Sequence, residues 1–195
     1  MTELSNINKL ILTNRIRDFH QKNGVVNILE FGCGFITDLL IYIQQDKNYN
    51  IILDSFTHPT SQYKSIHDFH SVKKRQLLTC SDSSYNRMFS SQKYNSNYMV
   101  KSQRNPNYKM QNTFYEINNN DLKDNYDIVI IAGPNGNGRD ISFLHIKNKI
   151  KKGGFIMLNQ LDRYISVETK DEFFKTVVAF QNNSYSDRVG FYKIV

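Results

Sequence analysis

The apolar positions of this chain fall into short blocks whose spacing changes along its length. Over residues 5–22, Ile7, Leu10, Ile11 and Phe19 recur near one helical face and Gly24 supplies a stop, so an amphipathic helix is expected there. Residues 25–31 (VVNILEF) are apolar with one acid, the pattern of a strand buried on both faces. Residues 37–45 suit a helix, and residues 50–54 (NIILD) a second buried strand ending in an acid. The stretch 60–112 is polar and rich in Ser, Asn and Tyr, with QLLT (76–79) and NTFYEI (112–117) reading as short strands. Apolar blocks resume with YDIVII (126–131), followed by the glycine-rich turn GPNGNG (133–138). A helix is expected over 140–152, with Ile141, Leu144 and Ile150 inward and Gly153–Gly154 closing it. FIML (155–158) is the next strand, Thr169 to Glu172 fits a capping box opening a helix through Phe180, and residues 188–195 form a terminal strand. Strands alternating with helices predict an open, mostly parallel α/β sheet.

Composition narrows the class. A chain of 195 residues supports one domain with a sizeable core, here expected to span 1–195 with a basic polar insertion at about 80–112. Two cysteines, Cys33 and Cys80, make neither a disulfide framework nor a CxxC pair. There is no apolar run near 18 residues and no signal-like block in MTELSNINKL, so no membrane partner and a cytoplasmic setting are expected. The net charge of +7 is concentrated: residues 61–112 hold nine Lys and Arg against Asp68 and Asp82, and nine minus two is seven. Such a segment suits a polyanion, nucleic acid included, or a solvated basic loop. His67 and His70 lie three apart without a supporting third ligand, so no metal site is expected.

The candidate chemistry centres on NILEFGCGF. Gly32 lets the chain bend sharply after the first strand, and Gly34 lets bare main chain approach a ligand. A dinucleotide fingerprint would place a third glycine where Thr37 stands, and the Lys-Ser/Thr ending of a phosphate loop is absent. Asp54 stands 20 positions after Gly34, the separation expected of an acid that binds ribose hydroxyls. A carboxylate offers two charged acceptor oxygens to two hydroxyls.

EFGCG (30–34) resembles the first motif of class I S-adenosylmethionine-dependent methyltransferases. YDIVIIAGPNGNGRD, KKGGFIMLNQLDR, DEFF and VGFYKI together resemble the polysaccharide-biosynthesis branch that includes the glucuronoxylan 4-O-methyltransferases, over residues 27–58 and 126–195. The resemblance implies a Rossmann-like methyltransferase fold: a mostly parallel central sheet, helices on both faces and an antiparallel C-terminal strand. It implies S-adenosyl-L-methionine as cofactor, held by Glu30, Gly32, Gly34, Asp54, Gly133 and Pro134. It implies a sugar or acidic glycan, or a sugar nucleotide, as acceptor, with Arg139 available to pair a carboxylate.

The chain departs from that branch at three positions. Ala132 replaces an acid before Gly-Pro, and Asn159 and Gln160 replace a His-Asp pair. A sugar hydroxyl is a weak nucleophile and benefits from a general base. His58, His145 and Asp162 are the candidates, and Asp162, His58 and Arg139 form the expected catalytic set. Three functions follow: sugar O-methylation, methylation of nucleic acid at a cap or ribose, and a binding module that keeps the fold without chemistry.

Overall fold

The structure is a computed structural model that describes residues 4–65, 67–81, 83–84, 112–135, 138–139, 141–160, 177–181 and 189–194. Helix α1 (Asn6–Asn23) is capped by Ser5, whose Oγ accepts from the Asn8 N–H at 3.3 Å, and ends at Gly24. Its inward stripe matches the expected one only in Ile11 and Phe19, which pack against the core. Asn8, Leu12 and Ile16 are buried, whereas Ile7 and Leu10 are 58% and 60% exposed. The i, i+4 row that includes Leu12 and Ile16 faces the sheet, so packing rather than the count of apolar residues sets the helix rotation.

Strands β1 (Val26–Phe31), β2 (Ile51–Thr57) and β3 (His70–Lys74) run parallel, with α2 (Phe35–Lys47) between the first two. The second strand is longer than expected, so Asp54 lies within it rather than at its end. β4 (Leu77–Thr79) and β5 (Thr113–Tyr115) form a separate antiparallel ribbon. β6 (Tyr126–Ile131) and β7 (Ile150–Leu158) continue the parallel sheet, followed by β8 (Val177–Gln181) and β9 (Gly190–Ile194). The seven-stranded order is β3-β2-β1-β6-β7-β9-β8, and β9 is antiparallel to both neighbours.

Strand formation takes residues from two expected helices. α3 covers only Ile141–Ile146, because the chain from Ile150 joins β7, with a register shift where Gly153 and Gly154 lie. Phe180 belongs to β8 rather than a helix: the VVAFQ run pairs with β9. The capping box at 169–172 lies outside the described residues.

The sheet separates two apolar layers. Leu12 and Ile16 of α1 and Ile36, Leu40 and Ile43 of α2 pack with Ile28, Leu53, Ile128 and Ile130 on one face. Phe143 and Ile146 of α3 and Phe114 and Tyr115 of β5 pack with Leu29, Phe31, Val129 and Ile131 on the other. Each such side chain contributes about 1.5–3 kcal/mol on full burial, so both coverings hold the sheet rigid beneath its carboxyl edge. Strand order reverses between β1 and β6, and ligands of open α/β sheets bind at that reversal.

Candidate functional site

The carboxyl edge of β1 is shaped by two glycines from different loops. Gly32 has φ +98°, and a Cβ there would stand 2.5 Å from the Gly133 nitrogen. A Cβ on Gly133 would in turn lie 2.7 Å from the Gly32 Cα and 2.8 Å from the Tyr115 hydroxyl. The N–H groups of Ala132 and Gly133 both donate to the Phe31 carbonyl, at 2.8 and 2.6 Å. The turns after β1 and β6 thus pack main chain against main chain, which only glycine allows.

Behind this turn sits a buried polar chain. The Gly34 N–H donates to Thr37 Oγ1 (2.9 Å), whose own proton goes to Glu30 Oε2 (2.8 Å). The Ser55 hydroxyl donates to the same oxygen at 2.9 Å, and His70 Nε2 lies 3.0 Å from Ser55 Oγ. Thr37, standing where a dinucleotide fingerprint would place a third glycine, therefore anchors the turn through its hydroxyl. Glu30 is fully buried, and burial pushes its carboxyl up to about 8, so it is neutral at pH 7. Burial, with Glu30 nearby, pushes the Cys33 thiol up to about 12, which leaves it a poor nucleophile.

Above the turn lies a cavity of about 430 Å³. Gly32, Cys33 and Gly34 form its floor with Phe35 and Ile36 at the start of α2. Thr57, His58, Thr60 and Ser61 follow the end of β2, and Ala132, Gly133, Pro134 and Asn135 follow β6. Asn159 and Gln160 close the β7 side, and Leu77 and Tyr115 come from the ribbon. Among the described residues this wall carries no Asp, Glu, Lys or Arg.

The structure distributes the expected site residues unevenly. Gly32, Gly34, Gly133, Pro134 and His58 meet at the cavity. Glu30 lies beneath it as a support of the turn and is not part of the wall. Asp54 is 1% exposed and off the wall, with Oδ2 accepting from the Tyr126 hydroxyl (2.9 Å) and Lys123 Nζ 3.0 Å from that oxygen. Its place opposite Leu29 puts it three residues before the strand end. Arg139 is likewise off the wall. Its fully buried guanidinium donates to the carbonyls of Pro134 (2.9 Å) and Asn159 (2.7 Å) and to Gln160 Oε1 (3.1 Å). These contacts brace the β6 turn against the end of β7. His145 stacks on Phe114 with ring centroids 6.0 Å apart, burial lowers its pKa, and it is not on the wall. Asp162 lies outside the described residues.

Sequence reasoning missed Tyr115, Thr57 and Asn135. The first arrives from a ribbon far away in sequence, and the second became visible only once β2 was seen to run past Asp54. The basic segment is described only in part. Lys73 donates to the Asp121 carbonyl, Arg75 pairs with the Asp121 carboxylate, and Lys74 Nζ donates to the Ser61 carbonyl at 2.7 Å. These three cations brace loops; Arg87, Lys93, Lys101, Arg104 and Lys109 lie outside the described residues. No group of three or more metal-ligating side chains occurs among the described residues, nor does a helix long and apolar enough to cross a membrane.

The strand order of the seven-stranded sheet, with β9 antiparallel to its neighbours, and a crevice over the first glycine turn define a Rossmann-like methyltransferase fold. The chain is similar to a Staphylococcus aureus protein assigned as a caffeoyl-CoA O-methyltransferase, with TM-score 0.55 and 10% identity over 99% of this chain and 85% of that one. It is also similar to human methyltransferase-like protein 13, solved with S-adenosylhomocysteine, with TM-score 0.50 and 10% identity over 94% of this chain and 78% of that one. At such identity the likeness is one of fold. No family model matches the chain, and no curated protein matches it.

Proposed function

We propose that this protein binds S-adenosylmethionine in the cavity above Gly32–Gly34 and transfers its methyl group to a hydroxyl of a sugar. The observation that carries the reading is bare main chain at the Gly32–Gly133 contact, facing an open cavity at the reversal of strand order. The cofactor supplies a methyl group on a positively charged sulfur. The chain supplies a fixed floor, the main-chain groups of Gly32 and Gly34, and walls that align donor and acceptor. Alignment dominates such a displacement.

The acceptor side favours a neutral hydroxyl. Asn135, Asn159, Gln160 and Tyr115 offer amide and phenol groups suited to sugar hydroxyls, and Arg139 is spent on carbonyls. An acidic glycan would find no cation on the described wall. Asp162, two positions after Gln160, is the proposed base by its place in the chain.

A second reading, a binding module without chemistry, is favoured by Ala132 at the end of β6 and by the lack of a carboxylate on the described wall. Thermal-shift and calorimetric titration with S-adenosylmethionine and S-adenosylhomocysteine test the cofactor. Mass spectrometry of neutral sugars, acidic sugars and RNA oligonucleotides incubated with the protein tests the acceptor. Binding without methyl addition to any of them favours the module. Addition to RNA, with steeply salt-dependent binding, favours the nucleic-acid reading over sugar.

A further inference from the structure

Two polar side chains on the cavity wall are buried and yet unpartnered. Tyr115 is 5% exposed and Asn159 is 8% exposed. Among the described residues, neither the Tyr115 hydroxyl nor the Asn159 carboxamide has a hydrogen-bond partner, and neither is sealed from solvent. Both residues line the cavity, so the little of them that stays open opens there. Buried polar groups normally have partners, and an exception calls for a water, an ion or a ligand. Asn135 is exposed and Gln160 Oε1 already accepts from Arg139, so neither presents the same kind of group.

The two residues meet at one turn. The Asn159 N–H donates to the Ile131 carbonyl at 3.0 Å, which fixes Asn159 beside the end of β6. Tyr115 comes from β5, and its hydroxyl stands 2.8 Å from where a Cβ on Gly133 would lie. The Phe31 ring stacks on the Tyr115 ring with centroids 6.4 Å apart, and Phe114 meets it edge-on at 5.4 Å. Aromatic neighbours therefore fix the ring and leave the hydroxyl unclaimed. Burial pushes the pKa of that hydroxyl up, so it stays protonated and is not a base.

Phenol and carboxamide are both neutral, and each can donate and accept. A hydroxyl group can do the same, and it brings no charge to be desolvated. Two such groups at one turn match two hydroxyls of one molecule. We propose that Tyr115 and Asn159 form the acceptor subsite, each hydrogen-bonded to a hydroxyl of the same neutral diol, such as neighbouring hydroxyls of a sugar ring. The inference rests on the sugar reading above and narrows it to an acceptor with at least two free hydroxyls.

The test is a saturation-transfer NMR titration of the full chain, wild type, Tyr115→Phe and Asn159→Ala, each saturated with S-adenosylhomocysteine. The probes are methyl β-D-glucopyranoside, which carries adjacent hydroxyls, and cyclohexanol, which carries one. The wild type is expected to bind cyclohexanol at least about fivefold more weakly than the glucoside, and each variant to weaken the glucoside about fivefold to tenfold, the scale of one net hydrogen bond. Affinity for S-adenosylhomocysteine, from calorimetry, is expected to stay unchanged. The urea midpoint of Tyr115→Phe should match the wild type, because the hydroxyl has no partner to lose among the described residues; a lower midpoint assigns it to the fold and overturns the proposal. Unchanged glucoside affinity in either variant, or a matching loss of S-adenosylhomocysteine affinity, overturns the assignment and leaves the cofactor reading standing. So does a wild type that binds S-adenosylhomocysteine but not the glucoside, or that binds cyclohexanol equally well. No binding of S-adenosylhomocysteine by the wild type overturns the cofactor reading and the assignment with it.

Discussion

Gly32 and Gly133 touch through their backbones, so a methyl group on either would overlap the other: a Cβ on Gly32 meets the Gly133 nitrogen at 2.5 Å and its Cα at 2.6 Å. Two loops about 100 residues apart in the chain thus form one floor, and the cavity depends on both being bare.

Gly32→Ala is accordingly expected to cost more than the strain of φ +98° alone. Gly24→Ala, at φ +74° with nothing within 4 Å of the new Cβ, isolates that strain. Denaturant unfolding should show a loss of about 1 kcal/mol for Gly24→Ala and roughly 2–4 kcal/mol for Gly32→Ala. Only the second should also abolish the thermal shift given by S-adenosylhomocysteine.

Glu30 makes stability depend on pH in an unusual direction. Its folded pKa of about 8 lies above the ordinary 4.5, so between those values the folded state holds a proton that the unfolded chain has released. Stability from this group is full below pH 4.5, falls as pH rises toward 8 and is flat above, a loss of at most about 5 kcal/mol. Glu30→Gln keeps an amide oxygen for Thr37 and Ser55 and cannot ionise. Urea midpoints measured from pH 5 to 9 should decline for the wild type and stay level for Glu30→Gln; parallel curves would refute the neutral carboxyl.

Arg139 tests whether a buried guanidinium binds substrate or holds loops. Arg139→Lys keeps the charge but replaces a planar fork with one flexible ammonium, which cannot serve Pro134, Asn159 and Gln160 together. A loss of about 2–4 kcal/mol in unfolding free energy is expected. If stability is unchanged and only the acceptor's KM rises, the arginine faces substrate after all.

Asp54 tests whether this acid holds a ribose or the sheet. Asp54→Ala leaves the buried Tyr126 hydroxyl without its acceptor, while the half-exposed Lys123 turns to water, and is expected to lower stability by about 1–3 kcal/mol. Affinity for S-adenosylhomocysteine, measured well below the lowered melting temperature, should change less than threefold. A tenfold or greater loss of affinity in a folded Asp54→Ala variant would return the ribose role to this acid.

Much of the architecture was legible in the residue pattern. VVNILEF, NIILD, YDIVII and FIML mark parallel strands because a strand covered on both faces must be apolar at successive positions. Gly32 and Gly34 marked the cavity floor, since a turn between such a strand and a helix needs little room. The pattern went wrong where neighbours decide. Ile7 and Leu10 satisfy a helical stripe as well as Leu12 and Ile16 do, and only the sheet beneath selects the second set. VVAFQ suits either helix or strand until β9 pairs with it.

The sequence by itself determined the layered α/β plan and the place of the first turn, because both follow from local periodicity and backbone sterics. Tertiary structure decided the chemistry of the site. Register moved Asp54 into the sheet and His58 to the edge, burial made Glu30 neutral and Arg139 a brace, and Tyr115 came from a distant ribbon. Distances between strands and the desolvation of charge belong to the packed molecule, and no stretch of the chain encodes them alone.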